Sequence, residues 1–225
     1  MLGAAAVLGV VVLGYAATQG GGGTPITIDP TTATGTAEGY VAGRADAPVE
    51  IIEYADFECP GCAQFAAVTE PDVRTRLIET GLVRFRFMDF PLVQIHPNSI
   101  PAHLAAACAA EQGKFWEMHD QLFNNQDRWN TAATRNPKGV FEGLAATAGL
   151  DRSAWNACYD QRTPLPKISA SVAQGQRLKV GGTPTFIVGD QMINEVLSYD
   201  RLKALVDSAA AKKARADAAG KAPGR

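Results

Sequence analysis

The chain has 225 residues, 46% of them apolar and 20% charged, an ordinary globular composition with enough length for a sizeable core. A net charge of −2 excludes the broadly basic surface of a nucleic-acid binder, so no nucleic-acid partner is expected. Residues 1–28 carry no charge at all, and residues 2–17 are an unbroken apolar run. That run has no polar face, so residues 1–18 read as a membrane anchor or export signal rather than a core helix. The basic residues that should precede such a segment are missing, the first base being Arg44. Residues 19–44 are rich in Gly, Thr, Pro and Ala and read as a flexible linker.

Folded structure is expected from residue 45. Residues 49–54 read as a largely buried strand, and a helix is expected from Ala63 to about Thr80. Residues 83–88 alternate Val/Phe/Phe with Arg/Arg, a second strand, and the length of the connection implies a parallel pair with a right-handed crossover. Residues 98–179 change character to a helical block. Ile100, Leu104 and Cys108 recur every fourth residue and put Cys108 on a buried face. Further helices are expected near 114–124, 138–148 and 165–179. Another starts after Asp151, a good N-cap, with Leu150 and Trp155 spaced for a hydrophobic staple. Strands return at 185–188 and 192–195 around the Gly189-Asp190 turn, followed by a helix at 198–211. Residues 212–225 carry five bases and one acid without apolar periodicity and read as a disordered basic tail.

The chemistry concentrates in Cys59-Pro60-Gly61-Cys62, at the junction of the first strand and first helix. Two cysteines one helical turn apart lie within disulfide reach, and Cys59 falls at the helix N-cap, where free backbone N–H groups favour a thiolate. Pro60 suits the first helical position, and Cys62, one turn in, is the more shielded, resolving thiol. A zinc site needs a second ligand pair, which the single Cys108 and Cys158 and the scattered His96, His103 and His119 do not form. Neither metal nor cofactor is therefore expected. Pro184, just before the third strand, marks a tight connection.

Three segments together resemble the DsbA-like thiol–disulfide oxidoreductases of the thioredoxin superfamily. They are residues 52–62 ending in Cys59-Pro60-Gly61-Cys62, residues 109–120 around Lys114-Phe115-Trp116, and residues 182–186 around Thr183-Pro184. The resemblance implies an α/β thioredoxin fold, with a helical insertion (98–179) between a βαβ half (45–97) and a ββα half (180–211). It implies a cis Pro184 completing the catalytic site with Cys59 and Cys62. Glu53 would be the buried acid that accepts the Cys62 proton, unless it points outward as half of a strand alternation. Pro60, Gly61 and Thr183 would meet substrate. Cys108 and Cys158 would form a structural disulfide, the alternative being two separately buried thiols. Asp56 and Glu58 are expected as solvated loop charges that would raise the Cys59 pKa, His96 as a loop residue near the site, and His119 and Trp116 as packing residues.

By the same resemblance the chain is expected to be an extracytoplasmic, tethered monomer. It would introduce disulfides into thiol-bearing substrate proteins and be recycled by a membrane redox partner. Two departures favour a weaker oxidant, or a reductase or isomerase using the same site. The family's strong oxidant has His next to the resolving cysteine where Gly61 stands, and Val where Thr183 stands. A chaperone-like module binding unfolded chains is the alternative of another class.

Overall fold

The computed structural model describes residues 36–220, so the expected anchor or signal and most of the expected linker lie outside the described residues. The first element corrects the linker assignment. Tyr40–Ala42 form a strand, β1, fixed by Tyr40, whose ring stacks 3.7 Å from that of Phe115. Gly39, at φ +64°, makes the turn that brings the chain onto the sheet. Sequence composition does not show this, because the partner that orders Tyr40 lies 75 residues downstream.

The next strands are β2 (Val49–Ala55) and β3 (Val83–Asp89), paired in parallel from Val49 opposite Val83 to Ala55 opposite Asp89. Between them the chain is helical but interrupted: α1 (Pro60–Val68), α2 (Glu70–Val73) and a π-helical turn (Arg74–Ile78). A single helix over 63–80 was the expectation; Pro71 lacks the N–H needed for an unbroken ladder, and Thr69 instead turns its hydroxyl to the Leu197 carbonyl at 2.9 Å. After the helical block, β4 (Thr185–Val188) runs antiparallel to β2, and β5 (Gln191–Ile193) pairs with β4. The five-stranded order is β1-β3-β2-β4-β5. The expected α/β thioredoxin fold is the one observed.

One face of the sheet is covered by α1, α2 and the closing helix α9. Its core holds Ile51, Phe65, Leu77, Phe85, Phe186 and Leu202. Helix α9 (Tyr199–Gly220) overruns the tail expected to be disordered from 212. Lys213–Asp217 and Lys203–Asp207, each one turn apart, together with the alanines, carry it on as a solvated helix. Among the described residues no helix is long and apolar enough to cross a membrane.

The block between β3 and β4 contains α3 (Ser99–Ala110), α4 (Phe115–Asn124), α5 (Gln126–Trp129), α6 (Lys138–Thr147), α7 (Arg152–Gln161) and α8 (Leu165–Arg177). Asp151 caps α7 by accepting the Ala154 N–H at 2.7 Å, and Leu150 and Trp155 are both buried in the same cluster. A disulfide joins Cys108 on α3 to Cys158 on α7, closing a separation of 50 residues. In the chain-entropy picture a loop of this length contributes about 4 kcal/mol. Replacing both cysteines with Ala is expected to lower the unfolding free energy by roughly that amount, measured by guanidinium denaturation, while the Cys59–Cys62 pair stays reactive.

Candidate active site

Cys59 sits where β2 hands over to α1. It is the N-cap of α1, in extended conformation, with Pro60 opening the helix. Its residue is 6% exposed, whereas Cys62 is fully buried, and both are free thiols. That asymmetry separates a sulfur that can be attacked from one that cannot. Thr183-Pro184 is a cis peptide placed against the pair: as a thiol, Cys59 donates to the Thr183 carbonyl at 3.3 Å. A Cβ on Gly61 would lie 3.2 Å from Pro184 Cδ and 3.2 Å from Val196 Cγ2, so glycine lets the cis-proline loop close over the helix start.

The two thiols are driven apart in acidity. A hydrogen bond from Cys62 lowers Cys59 to about 6, against the opposing effect of burial, with help from the Thr183 hydroxyl and the backbone N–H groups of Cys62 and Gly61. By hydrogen-bond geometry the buried Thr183 hydroxyl has no partner among the described residues; the bond that Cys59 makes is to the Thr183 carbonyl. Cys62 moves well above its ordinary value, first through burial, then through its hydrogen bond to Cys59 and the charges of Glu53 and Cys59. At neutral pH the pair holds one thiolate, on the outer sulfur.

Glu53, on β2, is 2% exposed; it does not point outward, and its charge acts on both sulfurs. Its register neighbours are Phe87 on β3 and Phe186 on β4. Burial raises its pKa well above the usual carboxylate range, and the negative charges of Glu70 and Cys59 add to this. The folded state therefore keeps a proton that the unfolded chain gives up above the ordinary value near 4.5. Stability is lost as pH rises past that point. Glu53→Gln is expected to raise Tm by several degrees at pH 7, and thermal melts at pH 4 should show the difference closing.

Asp56 and Glu58 are not solvated loop charges; they are 0% and 5% exposed. Asp56 accepts the Glu58 and Leu92 N–H groups at 2.8 Å, the Ser99 hydroxyl at 2.5 Å, and a bond from His96 Nδ1 at 2.7 Å. Burial alone would raise its pKa, but the His96 bond, the nearby His103 and the remaining donors outweigh it and hold the carboxyl below its usual value. Glu58 accepts the N–H of Asn98 at 2.7 Å and that of Thr131 at 2.5 Å. The two carboxylates thus tie the turn before Cys59 to the β3–α3 loop and to the insertion. Gln126, on α5, adds a third tie by donating to the carbonyls of Phe57 and Cys59 at 2.8 and 3.2 Å. None of these was singled out as part of the site in the sequence. The available signal was their position, two acids within three residues of the first cysteine.

His119 and Trp116 pack on α4, with His119 in an aromatic cluster with Phe57, Phe87 and Phe123. His119 also lies 3.6 Å from Glu70 and 2.8 Å from Asp120, beside Arg74, which ion-pairs with Glu70 at 2.7 Å and Asp120 at 2.6 Å. The Arg74 guanidinium already supplies the positive charge that a cation would bring to these carboxylates.

A family model described as thioredoxin matches residues 35–208. Disulfide bond formation protein D of Bacillus subtilis is 28% identical over 173 residues, spanning 74% of this chain and 75% of that protein. The Na(+)/H(+) antiporter NhaA 3 of Salinispora tropica is 36% identical over 170 residues, 76% of this chain but 24% of the antiporter. The chain thus spans about a quarter of the length of the antiporter relatives it matches. Among solved structures, α-DsbA1 of Wolbachia pipientis superposes with a TM-score of 0.68 at 22% identity, covering 77% of this chain and 92% of that one. Oxidised BdbD of B. subtilis superposes with a TM-score of 0.68 at 24% identity, covering 76% and 92%. With a cysteine pair at the strand–helix junction under a cis-proline and a family match across most of its length, the chain belongs to the thioredoxin family.

Proposed function

We propose that this protein introduces disulfides into substrate proteins through Cys59 and Cys62, on the outer side of the cell membrane. The observation that carries the reading is the asymmetry of the two sulfurs: Cys59 caps α1 beside the cis Thr183-Pro184 bond and keeps a small exposed area, with its pKa lowered to about 6, whereas Cys62 is fully buried, which raises its pKa. A pair that stabilises its reduced form in this way is an oxidant in its disulfide form. In the forward reaction a substrate thiolate attacks Cys59 Sγ of the Cys59–Cys62 disulfide. The S–S bond breaks, and Cys62 leaves and takes up a proton. A second substrate thiolate then attacks the substrate sulfur of the mixed disulfide, so the substrate leaves oxidised and Cys59 leaves as thiolate. Two electrons pass from substrate to the pair.

Glu53 is the group we assign to the Cys62 proton, donating when Cys62 leaves and accepting when Cys62 attacks. Thr183, Pro184, Pro60 and Gly61 form the surface on which the substrate backbone lies. Returning the pair to the disulfide needs an electron acceptor, which we assign to a membrane redox partner. The Cys108–Cys158 disulfide supports an oxidising, extracytoplasmic setting. A reductase or isomerase reading is favoured by two features, the Pro60-Gly61 dipeptide, which brings no cation between the cysteines, and Thr183 before the cis-proline.

Equilibrating the pair with glutathione separates the two. A reduction potential toward about −120 mV is expected for the oxidant. A value toward about −270 mV, the range of thioredoxin, makes the protein a reductase and overturns the proposal.

A further inference from the structure

We propose that His96 is the cationic partner of the Cys59 thiolate, presented from the β3–α3 loop by the buried Asp56 rather than from between the cysteines. The inference rests on Cys59 being the attacking sulfur. Its basis is a shared anchor. Asp56 takes the His96 ring at 2.7 Å through its carboxylate, and through its main-chain oxygen it accepts the Cys59 N–H at 3.0 Å. The His96 ring and the main chain of Cys59 are thereby fixed to the two ends of one short turn.

The loop has little freedom to carry the ring away. The His96 N–H donates to the Leu92 carbonyl at 2.9 Å, the Ser99 N–H donates to the His96 carbonyl at 3.1 Å, and the Leu92 N–H is itself held by Asp56. The His96 side chain is 16% exposed and that of Asp56 is fully buried, so water screens the group little. Asp56 accepts at Nδ1, which fixes a proton there and leaves Nε2 as the nitrogen that gains or loses the second.

The charges facing His96 are Asp56 and Glu58 from the turn before α1 and Cys59 at its cap, and His103 of α3 acts on Asp56 as well. The bond to Asp56 raises the His96 pKa most; burial opposes it, and the charges of Asp56, Cys59 and Glu58 add to the rise. Without the imidazolium, the turn would hold a buried carboxylate three residues from a thiolate, a repulsive arrangement. With it, Asp56 is neutralised where it sits and the sulfur gains a favourable neighbour. His96 is thus a positioning residue that acts on Cys59 through charge.

Coupling of this kind is reciprocal: if His96 favours the thiolate, the thiolate must favour protonated His96. The test is a ring NMR titration of the full chain in its reduced and disulfide forms, with His96 assigned among the three histidines by its absence in His96→Gln. The His96 midpoint is expected to fall when Cys59 is oxidised, because the negative sulfur is removed. Equal midpoints in both forms overturn the inference, and no change of fold is needed to read them.

A second arm follows the Cys59 thiolate by its absorbance near 240 nm. His96→Gln should cut the thiolate fraction at pH 6 by about twofold or more, a shift of about half a pH unit or greater. His96→Lys should restore much of it, whereas a purely structural loss would leave both variants alike. If the wild-type chain shows no thiolate below pH 8, the assignment of Cys59 fails first, and with it the inference. A normal Cys59 titration with a redox-blind His96 sinks the inference alone.

Discussion

Cys59→Ser is expected to abolish disulfide exchange altogether, with no residual oxidation of a reduced substrate above the uncatalysed rate. Cys62→Ser is expected to behave differently: it cannot form the Cys59–Cys62 disulfide and so cannot oxidise substrate, but its Cys59 thiolate still attacks a partner's disulfide and accumulates mixed disulfide. The reason is exposure rather than chemistry, since both residues carry the same thiol. Cys59 keeps a small exposed area, 6%, beside the cis-proline, and Cys62 has none. A serine at 59 leaves the inner sulfur beyond any partner's reach. A serine at 62 leaves the outer sulfur free to react but removes the thiol that resolves the adduct. Non-reducing electrophoresis after incubation with a protein carrying a strained disulfide reads both outcomes. Adducts at 62 in the Cys59→Ser variant would reverse the assignment of outer and inner sulfur. If binding of unfolded chains, measured by light scattering, were the sole activity and survived Cys59→Ser, the protein would be a chaperone-like module.

The second large effect is on pH. Alkylation of the reduced protein should follow the Cys59 thiolate, with a plateau above pH 7 and a rate falling about tenfold per unit well below 6. Cys62 should stay silent across that range because burial holds its proton. The same acidity bears on stability. Cys59 is lowered in the folded state from an ordinary value near 9 to about 6. Its contribution is therefore largest above the unfolded value and is lost as pH falls through 6. Between pH 6 and 8 the reduced form therefore gains stability as pH rises. The disulfide form has no such proton to lose. Denaturant midpoints of the two forms should thus diverge in favour of the reduced one from pH 6 to 8. Parallel curves would show that Cys59 is not a stabilised thiolate.

Much of the architecture was legible in the sequence because its signals are local. Alternating Val83, Phe85 and Phe87 mark a strand, Asp151 marks a helix start, and two cysteines one turn apart mark a pair that can face one way. What was not legible depends on distant partners. Asp56 reads as a loop charge until Leu92, His96 and Ser99 return 36 to 43 residues later to surround it. Glu58 needs the N–H groups of Asn98 and Thr131, and Gln126 reaches the site from 67 residues downstream of Cys59. Tyr40 has no strand partner until Phe87 and no ring partner until Phe115. A polar residue in a turn carries no mark of its own burial. Only the closed fold decides whether donors meet it or water does.

The short strand β1 also settles a matter of direction. It runs antiparallel to β3, with Tyr40 opposite Phe87 and Ala42 opposite Phe85. Its leading residue is therefore at the end of the sheet where β2 gives way to Cys59. Just before it, Ala37 packs on Tyr54, Met88 and Phe90 at that same end. The chain thus joins the domain from the reactive side and not from the base. Anything fastened ahead of Tyr40 would pull the dithiol toward its own attachment point, like a lamp hung with its bulb facing the ceiling. On a short lead, such a domain would serve clients close to that attachment. A longer lead would let it turn and meet clients from open solution, so lead length would choose between the two client populations.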